Sequence, residues 1–121
     1  IIMSVMLSVI AVHTLKFVFR RKRPKVTNGI NYMGYSFPSG HSCVSMSFYL
    51  TIAYVLSYGY QFFFVTMLIA IVFAFMIAIS RIILGVHWFT DVVIGSFIGL
   101  ICAYWSIYMF RMNYYFTFIF G

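Results

Sequence analysis

The chain has 121 residues, of which 64% are hydrophobic and 7% are charged, and its mean hydropathy is +1.05. About a quarter of the residues in a soluble domain are charged, so this composition excludes an ordinary soluble protein and predicts an integral membrane protein. Eight Lys and Arg residues against one acidic residue give a net charge of +7. In a soluble protein that excess would indicate a nucleic-acid partner. The hydropathy excludes this class, and we expect membrane lipids as partners and no nucleic acid.

Four apolar segments predict an all-α membrane protein, an antiparallel bundle of about four transmembrane helices in a single domain, 1–121. The helices are expected at about 1–19, 39–58, 61–80 and 86–110, with an aqueous loop at 20–38. Pro24 ends the first helix, and Asn28-Gly29 and Gly34 are turn signals in the loop. The chain begins with Ile and is apolar from its first residue, so we expect a part of a longer polypeptide and of a longer bundle. The sequence leaves the oligomeric state open.

Small residues recur at every fourth position of the last two helices, as Ala70, Ala74 and Ala78 and as Gly95, Gly99 and Ala103. Such stripes let membrane helices approach closely, so the third and fourth helices are expected to pack together. Cys43 and Cys102 lie inside apolar runs and are expected to be buried small hydrophobes without a disulfide.

The antiparallel order brings four helix junctions to one membrane face. Seven of the eight basic residues, together with His41, His87 and Asp91, gather there, whereas Arg111 marks the opposite face. Clustering of polar groups on one side of an otherwise apolar membrane bundle is costly unless the groups are paired or functional. A functional site is therefore expected at this end of the bundle.

His87 and Asp91 are the sharpest local pair, because residues four apart lie on one face of a helix. The carboxylate can accept a hydrogen bond from one imidazole nitrogen and leave the other nitrogen free as a nucleophile. The same pair can instead be a buried hydrogen bond that only closes the helix end. The pair alone does not decide between these interpretations.

Further polar residues would surround the pair. Pro38-Ser39-Gly40-His41 begins the second helix, where free backbone amides attract an anion, and His41 is placed to act as a general acid. Lys16, Arg23 and Arg81 supply the charge to hold phosphoryl oxygens. The preferred interpretation of the remaining cations is contact with anionic lipid headgroups; these are Arg20, Arg21, Lys22 and Lys25. No role is assigned to His13.

Three segments taken together resemble the type 2 phosphatidic acid phosphatase superfamily, which includes lipid phosphatases and vanadium haloperoxidases. The segments are Lys16 followed after six residues by Arg23-Pro24, then Pro38-Ser39-Gly40-His41, then Ser80-Arg81 followed by His87 and Asp91. Their order and spacing agree with the family pattern in every defined position. The stretches from Gly34 to Ser42 and from Leu84 to Gly95 look like those of bacterial members. Members usually carry more helices ahead of the first motif.

The resemblance implies a hydrolase that attacks a lipid phosphate or pyrophosphate through a phosphohistidine on His87. Asp91 would orient His87, and His41 would protonate the leaving group. The phosphoryl group would be held by Lys16, Arg23, Ser39, Gly40 and Arg81. No cofactor or metal is implied, and a chain with one carboxylate cannot build the oxygen cage that Mg²⁺ usually takes. The substrate stays open among undecaprenyl pyrophosphate, phosphatidylglycerophosphate and phosphatidate.

The resemblance also implies a bacterial plasma-membrane location with the site facing the extracytoplasmic side. The positive-inside rule, applied to the seven basic residues, predicts the opposite orientation. Two other functions stay open as alternatives. They are an intramembrane proton or anion pathway, because His and Asp in spans often relay ions, and a catalytically silent lipid-binding relative. Halide oxidation by a vanadium enzyme is disfavoured, because those relatives are soluble.

Overall fold

The computed structural model describes residues 1–24 and 34–120, except the side chains of Thr117 and Phe120. The predicted turn at Asn28-Gly29 and the basic residue Lys25 lie outside the described residues. The described chain folds into four helices, α1 (Ile2–Phe19), α2 (Gly40–Ser57), α3 (Phe63–Ile83) and α4 (Phe89–Phe120). The predicted all-α architecture is confirmed. In the described part, three segments are long and apolar enough to cross a membrane: α1, α3 and Phe89–Phe116 of α4.

The ends of α4 differ from the prediction. The helix begins at Phe89, after His87, because Gly85 adopts a positive φ of 66° and Asp91 accepts a hydrogen bond from the backbone N–H of Trp88 at 2.9 Å. A side chain in the first turn that bonds back to the residue before the helix is a capping arrangement. At the other end α4 continues to Phe120 instead of ending near residue 110. Arg111 does not end it, because a charged residue without Gly or Pro leaves the helical hydrogen bonds intact.

Helix α2 lies at the centre of the bundle and packs on each of the other three helices. Its polar residues Ser42, Ser45, Ser47 and Thr51 are buried, as expected for hydroxyls that face protein and not lipid. Ser47 Oγ donates to the carbonyl oxygen of Ser4 in α1 at 2.9 Å. The central position explains why α2 is the least apolar helix, since its neighbours shield it from lipid.

The small-residue stripes of α3 and α4 pack on α2. Helices α3 and α4 contact each other, as expected, but each of them packs much more extensively on α2. Ala70 and Ala74 share the apolar core with Met46 and Leu50 of α2. In α4, a Cβ added to Gly95 would lie 2.5 Å from the carbonyl oxygen of Ser39. The small residues therefore let α3 and α4 each approach α2 closely.

Cys43 and Cys102 are buried, as predicted, and their thiols are free.

Replacing Gly95 by Ala should destabilise the bundle, because the new methyl group overlaps the backbone of Ser39 at the start of α2. Overpacking of this kind costs about 1–3 kcal/mol, and it should lower the thermal unfolding temperature of the detergent-solubilised protein. Ser96→Ala, at the next, half-buried position, is the control and should leave that temperature nearly unchanged. Equal stability of Gly95→Ala and Ser96→Ala would contradict the close approach of α4 to α2.

Candidate active site

The ends of all four helices meet at one end of the bundle. The backbone N–H of Ser39, before α2, donates to the carbonyl oxygen of Asp91 in α4 at 2.9 Å. Arg23, which follows α1, donates through Nη1 to the carbonyl oxygen of Val86, which follows α3, at 3.1 Å. The expected convergence of the helix junctions is therefore present in the described residues.

A cavity of about 440 Å³ opens between α1 and α3. These two helices make no contact with each other within the described ranges, and α2 lies between them. Six of the eight predicted site residues line the cavity. The complete lining is Val9, Val12, His13, Lys16, Arg23, Gly40, His41, Val44, Arg81, Leu84, Val86 and His87. One part of this wall is cationic and another is apolar, so the cavity suits a ligand with both an anionic and an apolar part.

His87 is 5% exposed, and its imidazole lies at the cavity wall. Its Nε2 lies 3.4 Å from Nη1 of Arg23. A guanidinium group has no acceptor, so this contact is a hydrogen bond only when Nε2 carries no proton. In that tautomer His87 presents the lone pair of Nε2 beside a cationic group.

Asp91 is fully buried in the first turn of α4. Its Oδ2 accepts the N–H of Trp88 and lies 3.6 Å from Nδ1 of His87, which is longer than a normal hydrogen bond. Asp91 thus closes the helix end and also faces the imidazole. The sequence left open whether Asp91 orients the imidazole or only closes the helix end. The observed geometry allows Asp91 to do both.

Arg21 makes the contact that sequence reasoning missed. The sequence suggested only contact with lipid headgroups, whereas in the structure its Nη1 lies 2.9 Å from Oδ1 of Asp91 and 2.6 Å from Oγ1 of Thr90. One signal for this ion pair was present in the sequence: a single buried carboxylate needs a cation. The sequence did not show which of the basic residues provides it.

The remaining predicted residues take different positions. Lys16, in the last turn of α1, donates to the carbonyl oxygen of Tyr35 at 3.0 Å, and Arg81, near the end of α3, donates through Nε to Ser80 Oγ at 3.1 Å. Gly40 and His41 line the cavity at the start of α2.

Ser39 is fully buried behind the cavity, where its Oγ accepts hydrogen bonds from the N–H and the hydroxyl of Ser42. It acts there as the N-cap of α2.

Burial and charge keep the imidazole of His87 neutral. Desolvation, followed by the nearby charges of Arg23 and Lys16, lowers the pKa of His87 from 6.5 to about 4, while Asp91 and the backbone of Ser36 act in the opposite direction. A lowered pKa means that the ring loses its proton already in acidic solution. The neutral form of the His87 imidazole therefore dominates throughout the neutral pH range.

A histidine-selective NMR titration should find this low pKa directly. In a variant with His13→Gln and His41→Gln, the one remaining imidazole should titrate well below 6.5. Arg23→Gln should raise the pKa of His87, because it removes the largest nearby charge that lowers it, and Arg111→Gln at the opposite end should not. A titration midpoint of His87 at or above 6.5 would contradict the described environment.

The sequence of the chain is similar to a known family of proteins. Residues 1–115 match the family model of the PAP2 superfamily. The chain is 38% identical over 91 residues to phosphatidylglycerophosphatase B of Bacillus subtilis (strain 168), covering 72% of this chain and 45% of that protein. The chain thus spans about half the length of this curated relative.

Two solved structures are similar. The transmembrane PAP2-type phosphatidylglycerolphosphate phosphatase of Bacillus subtilis has a TM-score of 0.84 and 30% identity, with 92% of this chain and 57% of that chain covered. LpxE of Aquifex aeolicus has a TM-score of 0.69 and 35% identity, with 88% of this chain and 64% of that chain covered. Both have the fold described above. Since the family model matches nearly the whole chain and the fold agrees, this integral membrane protein belongs to the PAP2 superfamily.

Proposed function

We propose that this chain carries the active site of a metal-independent phosphatase that releases phosphate from a membrane lipid phosphate or pyrophosphate through a phosphohistidine intermediate. The observation that carries the proposal is the neutral imidazole of His87 in a cavity with cationic and apolar walls. Family membership and the phosphatase relatives support the same activity. The proposal fits the sole acidic residue in the sequence, since its mechanism needs one carboxylate.

In the first step the lone pair of His87 Nε2 attacks the phosphorus atom. The P–N bond forms as the bond between phosphorus and the lipid oxygen breaks, and protonated His41 donates its proton to the departing oxygen. Burial and the charges of Arg81, Lys16 and Arg23 lower the pKa of His41 in the free protein. The negative charge of the bound phosphate raises that pKa, so His41 takes up its proton when the substrate binds. Lys16, Arg23 and Arg81 line the same cavity and neutralise the phosphoryl oxygens in the transition state. Most catalysis of phosphoryl transfer is of this electrostatic kind.

In the second step water attacks the phosphorus atom of the phosphohistidine. His41, now neutral, takes a proton from this water, the P–N bond breaks, and inorganic phosphate leaves with His87 restored. Nδ1 of His87 lies 3.6 Å from Oδ2 of Asp91, and at this distance the carboxylate stabilises the positive charge that the ring carries while phosphorylated.

The apolar part of the cavity supports a lipid as the substrate. Val9, Val12 and Val44 lie on α1 and α2, where those helices enter the hydrophobic span, and continue the wall from the cationic end. The gap between α1 and α3 gives a lipid tail a path to the bilayer. The name of the Bacillus subtilis relative favours phosphatidylglycerophosphate over phosphatidate and undecaprenyl pyrophosphate.

We also propose that the site faces the extracytoplasmic side. The positive-inside rule counts Lys and Arg in short loops at the ends of the spans, but several of these cations contact other groups of the protein or line its cavity. Arg21 pairs with Asp91, Lys16 and Arg23 bind backbone carbonyl groups, and Arg81 lines the cavity. The number of basic residues at this end that can act on the orientation in the membrane is therefore smaller than the seven counted in the sequence.

His87→Asn should reduce phosphate release from phosphatidylglycerophosphate, phosphatidate and undecaprenyl pyrophosphate by more than about 1,000-fold, because it removes the nucleophile. The wild-type protein, quenched in alkali during turnover of labelled lipid, should carry phosphate on His87. Arg111→Gln, on the exposed surface at the other end of the bundle, is the control and should keep full activity. Retained turnover in His87→Asn would contradict the mechanism, and ion flux through liposomes without phosphate release would favour the pathway alternative.

Labelling of intact cells tests the orientation. In a background without Cys43 and Cys102, Lys22→Cys at the site end should react with a membrane-impermeant thiol reagent, because Lys22 is exposed. Tyr60→Cys, exposed between α2 and α3 at the opposite end, should react only after lysis. The reverse pattern would show that the site faces the cytoplasm.

A further inference from the structure

We propose that Arg21 is a positioning residue that holds Asp91 in the orientation in which it faces His87. This inference rests on the proposed function of the His87 and Asp91 pair. Arg21 Nη1 contacts Oδ1 of Asp91 at 2.9 Å, while the other carboxylate oxygen, Oδ2, faces Nδ1 of His87 at 3.6 Å. A carboxylate held at one oxygen by Arg21 and at the other by the N–H of Trp88 has a fixed plane.

Burial makes this contact necessary. Asp91 has no exposed side-chain surface, and an ionised carboxylate without partners in such a place is strongly disfavoured. Arg21 supplies the compensating charge, and its hydrogen bond to Thr90 Oγ1 fixes the guanidinium at the first turn of α4. Without Arg21, Asp91 would be protonated or turned toward another donor, and His87 would lose its orienting acceptor.

The segment that carries Arg21 is itself held in place. Ser36 donates from its backbone N–H to the carbonyl oxygen of Arg21 at 2.8 Å and from its hydroxyl to the carbonyl oxygen of Lys22 at 3.1 Å. Trp88 donates from Nε1 to the same Lys22 oxygen at 3.3 Å, and the Arg21 guanidinium lies 5.5 Å from the centre of the indole ring. Stacking of a cation on an aromatic face adds further stabilisation.

Two arginines thus have separate tasks. Arg23 lines the cavity and lies beside Nε2 of His87, the nitrogen that attacks, whereas Arg21 is absent from the cavity wall and contacts Asp91 behind the ring. Loss of Arg23 should weaken substrate binding. Loss of Arg21 should leave binding in place and slow the chemical step.

Steady-state kinetics of phosphate release from phosphatidylglycerophosphate in detergent micelles test this division. Arg21→Met should lower kcat about 10- to 100-fold, by analogy with the loss seen when a hydrogen-bond partner that orients a metal-binding imidazole is removed. The KM should change by less than about twofold, because the residues that line the cavity and bind the substrate are unchanged. Arg21→Lys, which retains the charge, should recover part of the loss. Lys22→Gln, an exposed neighbour that loses the same charge, should behave as wild type.

A double variant separates positioning from a general loss of structure. If Arg21 acts through Asp91, Arg21→Met combined with Asp91→Asn should be no slower than Asp91→Asn alone. Additive losses, or a rise in KM without a fall in kcat for Arg21→Met, would overturn the proposal. Thermal unfolding of each variant in detergent checks that the bundle is intact.

The ¹⁵N NMR signals of the His87 ring provide a readout that does not need turnover. Wild type and Lys22→Gln should show the neutral tautomer with its proton on Nδ1, whereas Arg21→Met and Asp91→Asn should both show a mixture of tautomers. An unchanged tautomer in Arg21→Met would overturn the role of Arg21, whatever the activity. Turnover retained in His87→Asn would instead count against the proposed function, so the two failures are distinguishable.

Discussion

The buried carboxylate of Asp91 is the constraint on which this end of the molecule depends. Its side chain accepts from Trp88 and thereby begins α4, pairs with Arg21 from the segment after α1, and faces His87 from the segment after α3. Its carbonyl oxygen accepts the N–H of Ser39 at the start of α2. One residue therefore connects the ends of all four helices. A buried charge that loses a partner leaves an uncompensated group, which ties the geometry of the site to the stability of the bundle.

Close packing on α2 determines where the cavity can form. The stripes of small residues in α3 and α4 bring their backbones close to the central helix, and Ser4 and Ser8 do the same for α1, where both are fully buried. Because each outer helix packs inward, α1 and α3 stay apart, and the space between them becomes the cavity. The same small residues that stabilise the bundle thus give it an opening toward lipid.

The excess of basic residues affects the protonation of His87 because the imidazole is buried beside several of them. Cations that surround a buried imidazole make its protonated form unfavourable, so His87 stays neutral beside the groups that would bind phosphate. A protein with more acidic residues would neutralise these cations and compete with the phosphoryl oxygens for them. With Asp91 as the one acid in the sequence, Arg21 is occupied by the carboxylate, while Arg23 and Arg81 face the cavity.

The sequence by itself determined the membrane class, because hydropathy is a local property of the chain, and it indicated four helices. It also identified six of the residues that line the cavity, because the order and spacing of the segments that carry them resemble a known family. The tertiary structure alone decided which helix is central, since a stripe such as Gly95 and Gly99 shows that a close neighbour exists and does not identify it. It also decided the pairing of Arg21 with Asp91. Several basic residues were equivalent in the sequence, and only the path of the chain from α1 to the start of α4 distinguishes the one that reaches the carboxylate.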